Sequence, residues 1–389
     1  MYKYFLNNPI LDNNEKKYVN ECIKSGWIAN GKFINKFTNL LKKYTNAKYV
    51  VPCVNGTSAL HIALKVVGVK ENDEVIVPTT TFIAPINAIK YNLASPIFFD
   101  VENDFTINVI QVVNFLENYT AFKNGHTINI KTNKIIRAIV VVHTFGNAAR
   151  LDKLIAICKK KNIKIVEDAA ESLGTFYKKN ILRGKHTGTI GDVGCLSFNS
   201  NKIITTGGGG AILLKSQKVS KNCEYLINQA KDDALRYKHD SIGYNYRINN
   251  ISAAIGFAQL KNIKKILNKK KFINKLYKKY LNNQKYFTII ENPQYSSNNN
   301  WLNILKINGI YYDKIIGLVK YLKKFNIEAR PIWYANHLQK PFVKCQAYKI
   351  SKAIELQESC ICLPSSHSLC EKDIKSISIK IINFFQKTL

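Results

Sequence analysis

Acidic residues are scarce in this chain: 26 Asp plus Glu stand against 58 Lys plus Arg among 389 residues, a formal net charge of +32 at pH 7. Such an excess favours anions in general, whether nucleic acid, a membrane surface or phosphorylated small molecules. It accompanies much Asn, Ile and Tyr, as in Lys269-Lys270-Lys271 and Asn298-Asn299-Asn300, a texture that an AT-rich genome produces without selection for a ligand. That background is the preferred reading, so no nucleic acid is expected as a partner. Long apolar runs are missing as well. No stretch approaches the roughly 18 uncharged residues of a spanning helix, and residues 1–9 hold no apolar signal core, so no membrane association and a cytoplasmic location are expected. A disulfide framework is also absent. The nine cysteines have no framework spacing and lie mostly in apolar stretches such as Ala156-Ile157-Cys158, as reduced core thiols do. Cys360 and Cys362 form the one close pair without a histidine at zinc-ligand spacing, so no metal is expected. No internal repeat is evident. With 46% hydrophobic residues, disorder and small disulfide scaffolds are excluded.

What is present reads as an α/β protein. Apolar runs at 49–54, 74–78, 96–100, 135–143, 163–167, 194–198 and 211–214 are mostly continuous rather than alternating, which predicts strands buried on both faces of a mainly parallel sheet. Helical spacing predicts helices over 57–67, 84–91 and 151–162 between them. After about residue 249 the texture changes to a long helical pattern over 251–267 with a Lys-rich continuation to 281. Strands near 287–290 and 302–307 and helices over 312–325 and 371–385 follow. The expectation is a large domain over 1–249, with an N-terminal arm, and a smaller C-terminal α/β domain over 250–389.

Three segments carry chemistry. Asn55-Gly56-Thr57-Ser58-Ala59-Leu60 sits where a strand hands over to a helix, and its N–H groups and hydroxyls suit either a phosphate or a plain helix cap. Gly207 to Gly210 form an unbroken glycine run whose conformational entropy cost calls for a ligand approach or a special turn. The run fits neither the Walker pattern nor the dinucleotide fingerprint, because it precedes a strand instead of opening a helix. Lys202 lies just before it with no neighbouring charge. It is either one more surface lysine or an amine that an apolar setting makes nucleophilic. Asp168, in Glu167-Asp168-Ala169-Ala170-Glu171, ends a predicted strand at the sheet edge where ligands bind, or else caps the next element. A lysine, a carboxylate and a phosphate cradle are together what pyridoxal phosphate chemistry requires.

With these segments in place, the chain resembles the DegT/DnrJ/EryC1/StrS sugar aminotransferases, a branch of the fold type I pyridoxal phosphate enzymes, and within them the LegC-like 4-aminotransferases. The resemblance spans Ser25-Gly26-Trp27-Ile28, the cradle through His61, Val77 to Ala84, the Asp168 segment, Ser197 to Gly210 and Gly243-Tyr244-Asn245-Tyr246-Arg247. Arg330-Pro331-Ile332-Trp333 and Leu363-Pro364-Ser365-Ser366 extend it toward the C-terminus. It implies a fold type I large domain and a pyridoxal 5'-phosphate cofactor bonded to Lys202, with Asp168 at the pyridine nitrogen. Gly56, Thr57, Ser58 and Ser197 would serve the phosphate, and Phe82 would stack on the ring. Glu171 stands where many relatives place Gln, near the phenolic oxygen. Asn245 would reach the phosphate of a neighbouring subunit, implying a homodimer with shared active sites. Trp27, Arg247, Trp333, Tyr334 and His337 match regions near the sugar nucleotide. Departures occur at Pro85 and over 145–150, outside the cofactor residues. The implied reaction moves the amino group of glutamate to C4 of a nucleotide-linked 4-keto-6-deoxyhexose, UDP-linked, with a 3-keto sugar or GDP or dTDP as alternatives. Lys202 argues against the dehydratases of this fold, which carry His there.

Overall fold

The computed structural model describes residues 2–282, 284–309 and 313–388. Its centre is an eight-stranded sheet in the order Tyr49–Cys53, Gly210–Leu214, Val193–Ser197, Lys164–Asp168, Ile136–Val142, Glu74–Pro78, Ser95–Phe99 and Ala347–Tyr348. Successive residues of one strand face opposite layers. Val75 and Val77 therefore join the core beneath helices Gly56–Val66, Ala84–Tyr91 and Gln217–Ile227. Ile76 joins the core beneath Val109–Asn118 and Leu151–Lys160. Helices on both faces are the reason the strands read as unbroken apolar runs.

Seven of the eight strands are parallel, and Gly210–Leu214 alone runs antiparallel to both its neighbours. Parallel neighbours need a crossover, usually helical. The connection over 198–209 contains no helix, so the chain turns back on itself. That reversed connection carries Lys202 and most of the glycine run.

Two helices formed by the expected N-terminal arm, Asn13–Ser25 and Lys32–Thr45, were not anticipated from the sequence, although the first opens with a full capping box. Asp12 accepts from the Asn14 N–H at 2.7 Å, while the Glu15 carboxylate accepts from the Asp12 N–H at 2.7 Å. The single helix predicted over 251–267 is corrected to two, Asn250–Lys261 and Ile263–Leu281. The break is at Asn262, whose N–H bonds the Gln259 carbonyl and whose side chain donates to Asp12 at 3.1 Å. The first of these helices packs on the N-terminal pair, and the second supports a four-stranded antiparallel sheet. That sheet is ordered Phe287–Ile289, Asn303–Ile307, Cys360–Leu363 and Arg330–Pro331. It shares a core with Lys314–Lys324 and Glu371–Thr388 built on Tyr277, Leu305 and Phe385. Tyr312, the predicted start of the helix before Phe325, lies outside the described residues. Ala347–Tyr348, within the expected C-terminal domain, returns to the central sheet beside Ser95–Phe99. Among the described residues no helix is long and apolar enough to cross a membrane.

Candidate active site

The strand Lys164–Asp168 ends with two carboxylates pointing in opposite directions. Glu167 is fully buried and saturated: it accepts from Gly188, Ile190 and Gly191 N–H at 2.8, 2.6 and 2.6 Å, and from His143 Nε2 at 2.9 Å. Burial pushes its pKa up, but the His143 bond and these backbone donors outweigh it and hold the carboxyl below its usual range. His143 Nδ1 accepts from the Ala149 N–H at 3.1 Å, which leaves the proton on Nε2 for Glu167. With Glu167 anchored in this way, Asp168 is turned into a cavity. Asp168 is 5% exposed, and its Oδ1 accepts from the Ala170 N–H at 3.0 Å. Burial raises its pKa, against the pull of that N–H, Lys202 and His143.

Lys202 enters the same cavity from the reversed connection. Its Nζ lies 3.3 Å from Glu171 Oε1 and 4.2 Å from the centroid of the Trp301 ring. Glu171 Oε2 accepts from the Phe145 N–H at 2.8 Å. Burial raises the Glu171 pKa, with Lys202 the main opposing influence. Phe145 occupies the left-handed region at φ 54°, and its ring lies flat against Trp333 with centroids 4.6 Å apart at 11°. Trp301 therefore covers the amine while Trp333 and Phe145 form an aromatic wall beside it.

At the other end of the cavity the helix Gly56–Val66 presents its N-terminus. Asn55 caps it by accepting from the Ser58 N–H at 2.8 Å, and the next intrahelical bond runs from Ala59 to the Asn55 carbonyl. The N–H groups of Gly56 and Thr57 are left for an anion. Glycine is required at two points by close approach. A Cβ on Gly56 would stand 2.7 Å from the Ser197 Cβ, and one on Gly210 would stand 2.5 Å from the Asn55 carbonyl carbon and oxygen. A Cβ on Gly208 would meet nothing nearer than 3.9 Å, which leaves bare backbone as cavity wall.

The cavity measures about 590 Å³ and gathers Lys202, Asp168, Glu171, Gly56, Thr57, Ser197, Phe82 and Trp333. Phe82 is 53% exposed at its mouth, its ring 6.5 Å from that of Trp333. Other sequence candidates lie outside it. Ser58 is buried beside the cap. Asn245 is exposed and Arg247 Nη2 bonds Asn30 at 3.0 Å. Trp27 is exposed by a separate cavity lined by Phe33 and Asn250. Tyr334 is exposed, and His337 Nδ1 shares a 2.8 Å hydrogen bond with Thr79 Oγ1. Trp301, Phe145, Leu6 and Arg330 line the cavity and were missed as contacts. Only the rarity of tryptophan, three in the chain, could have drawn notice to Trp301.

A half-buried lysine, a buried carboxylate at the opposite face of the sheet edge from Glu167, and a helix N-terminus with free N–H groups fit pyridoxal phosphate. Thr57, Ser197 and the bare Gly208 backbone would hold the phosphate, Asp168 a protonated ring nitrogen, and Lys202 the aldehyde carbon. Among the described residues, no group of three or more His, Cys, Asp or Glu is arranged to hold a metal ion.

The sequence profile of the DegT/DnrJ/EryC1/StrS aminotransferase family matches residues 9–382. GDP-perosamine synthase of Escherichia coli O157:H7 is 35% identical over 97% of this chain and 97% of its own length. GDP-perosamine synthase of Vibrio cholerae is 33% identical over 97% of this chain and 98% of its own. Among solved structures, Helicobacter pylori PseC, an aminotransferase involved in the biosynthesis of pseudoaminic acid, shares the fold with a TM-score of 0.89 over 99% of both chains at 22% identity. A family match over nearly the whole chain thus meets a cavity suited to the family's cofactor, and this protein belongs to the DegT/DnrJ/EryC1/StrS family as a pyridoxal phosphate-dependent sugar aminotransferase.

Proposed function

We propose that the enzyme takes the amino group of glutamate and delivers it to C4 of a nucleotide-linked 4-keto-6-deoxyhexose, giving a 4-amino-4,6-dideoxyhexose nucleotide. The observation that carries this reading is the meeting of Lys202, Asp168 and Glu171 with the Gly56–Thr57 helix start in one cavity. Pyridoxal phosphate, when bound, supplies the electron sink and carries the amino group between the two substrates.

The chain's own groups divide the remaining work. Asp168 provides the negative charge that keeps a ring nitrogen protonated in a site from which water is largely excluded. Lys202 Nζ takes the substrate Cα proton from glutamate and returns one to the sugar carbon. Glu171 Oε1, 3.3 Å from that amine, can hold a proton because burial raises its pKa. Trp301 and the Phe145–Trp333 stack keep water from the amine. Asn245, exposed and outside the cavity of its own chain, is proposed to complete the site of a second copy in a homodimer, in the cytoplasm. The relatives named for a GDP-linked sugar support GDP ahead of the UDP that the family resemblance implied.

Two measurements test the reading. Purified protein is expected to be yellow, and borohydride should fix the cofactor on Lys202; a Lys202→Ala variant that still fixes it and turns over would refute the assignment. Mass spectrometry of products from GDP-, UDP- and dTDP-linked 4-keto and 3-keto sugars with glutamate should give a mass gain on one 4-keto substrate. Amination of a 3-keto sugar alone would overturn the C4 assignment.

A further inference from the structure

Behind Lys202, away from the cavity, lies another lysine with a different environment. Lys270 is 0% exposed, and its Nζ donates to Asn7 Oδ1 at 2.6 Å, Trp301 O at 2.9 Å and Ser365 O at 2.6 Å. Three acceptors match the three protons of an ammonium, and none of them is a carboxylate. Burial alone pushes this amine well below the usual lysine range, so an unpaired cation there is a standing cost to the fold.

What the cost secures is visible in the partners of Lys270. Because Lys270 can only donate, Asn7 must turn its oxygen toward it, which aims Nδ2 the other way. That Nδ2 donates to the Asn201 carbonyl at 2.6 Å and the Lys202 carbonyl at 3.3 Å. Trp301, held through its own carbonyl, donates Nε1 to the same Asn201 carbonyl at 2.6 Å and lays its ring against Lys202 Nζ. Ser365 belongs to the loop after Cys360–Leu363, whose N–H bonds the Leu6 carbonyl. Segments near residues 7, 201, 301 and 365 thus converge on one buried ammonium.

We propose that Lys270 and Asn7 are positioning residues for Lys202: the buried ammonium orients the Asn7 amide and the Trp301 carbonyl, and these fix the backbone and the ring between which the Lys202 side chain is held. This rests on the reading of Lys202 as the residue that bonds the cofactor. Neither residue is among those that line the cavity. Loosening a reacting group by about 1 Å lowers rates roughly 100-fold even when the altered residue is remote.

Asn7→Asp and Lys270→Met separate positioning from folding. Asn7→Asp keeps an oxygen for Lys270 and turns a second oxygen toward the 201 and 202 carbonyls, replacing two hydrogen bonds by repulsion. Apo-protein of each variant is mixed with pyridoxal phosphate, the rise in visible absorbance is timed, the bonded cofactor is fixed with borohydride and located by peptide mass spectrometry, and kcat and KM are measured per bound cofactor. Asn7→Asp should fold with a lowered melting temperature, bond the cofactor roughly 10- to 100-fold more slowly and lose kcat by a similar factor with KM unchanged at a temperature where it is fully folded. Lys270→Met should do the same where it folds. Wild-type bonding and turnover in Asn7→Asp would overturn the proposal even if Lys270→Met fails to fold. Fixation in the wild type at a residue other than Lys202 would instead overturn the reading beneath it.

Discussion

Gly56→Ala puts the phosphate cradle under a defined strain. The new Cβ would stand 2.7 Å from the Ser197 Cβ and 3.0 Å from its Oγ, whereas carbon atoms in contact sit about 3.5–4.0 Å apart. Both atoms are tied directly to backbone, so relief requires the helix start and the end of strand Val193–Ser197 to separate by about 1 Å. Hydroxyls and N–H groups on the two sides of that gap can then no longer reach one phosphate together. The loss of one hydrogen bond to a charged group is worth about 1.5–3 kcal/mol, or roughly 10- to 100-fold in affinity. Overpacking would also cost the fold about 1–3 kcal/mol. Absorbance titration of apo-protein with pyridoxal phosphate and with pyridoxal, which lacks the phosphate, isolates the cradle. The variant should lose affinity for the first and keep it for the second. Unchanged affinity for pyridoxal phosphate, or equal loss for both, would refute the placement of the phosphate between Gly56 and Ser197.

Asp168→Asn removes the only charge proposed to face the ring nitrogen; kcat should fall roughly 100- to 1000-fold with KM little changed, and near-normal turnover would remove Asp168 from its role. Glu171→Gln should keep the Phe145 contact, since the amide oxygen can still accept. The wild-type carboxyl is raised by burial, so its contribution is largest below the unfolded carboxylate pKa and is lost as pH rises through the folded one. The stability of Glu171→Gln relative to wild-type apo-protein should therefore improve as pH climbs through and above the carboxylate range, and parallel melting curves would contradict this. Phe37, fully buried in helix Lys32–Thr45, packs edge-on against Phe198 at 5.2 Å, at the start of the connection that carries Lys202. Phe37→Ala should cost about 3–5 kcal/mol in urea unfolding and reduce cofactor retention, and a cost below 1 kcal/mol would show that the helix does not brace that loop.

Much of the fold was legible because burial on both sides of a sheet is written locally. A strand such as Glu74–Pro78 has to be apolar once inside the sheet, as Val75-Ile76-Val77-Pro78 is, and it lies where the run over 74–78 predicted it. Lys202, Asp168 and the Gly56-Thr57 turn could likewise be picked out, since a lone lysine before four glycines and an acid at a strand end are local patterns. Other features depend on where the chain goes next. The reversal of Gly210–Leu214 follows from a connection without a helix, and the break at Asn262 from side chains contributed by the N-terminal arm. Trp301 reaches the connection that carries Lys202 from 100 residues away, and Lys270 reaches Asn7 across 263. Hydrophobic period and turn chemistry describe each segment's own preferences. Which distant segments share a cavity is set by packing two sheets and their helices against one another, and only that packing decided that an inconspicuous lysine in a basic helix would stand behind Lys202.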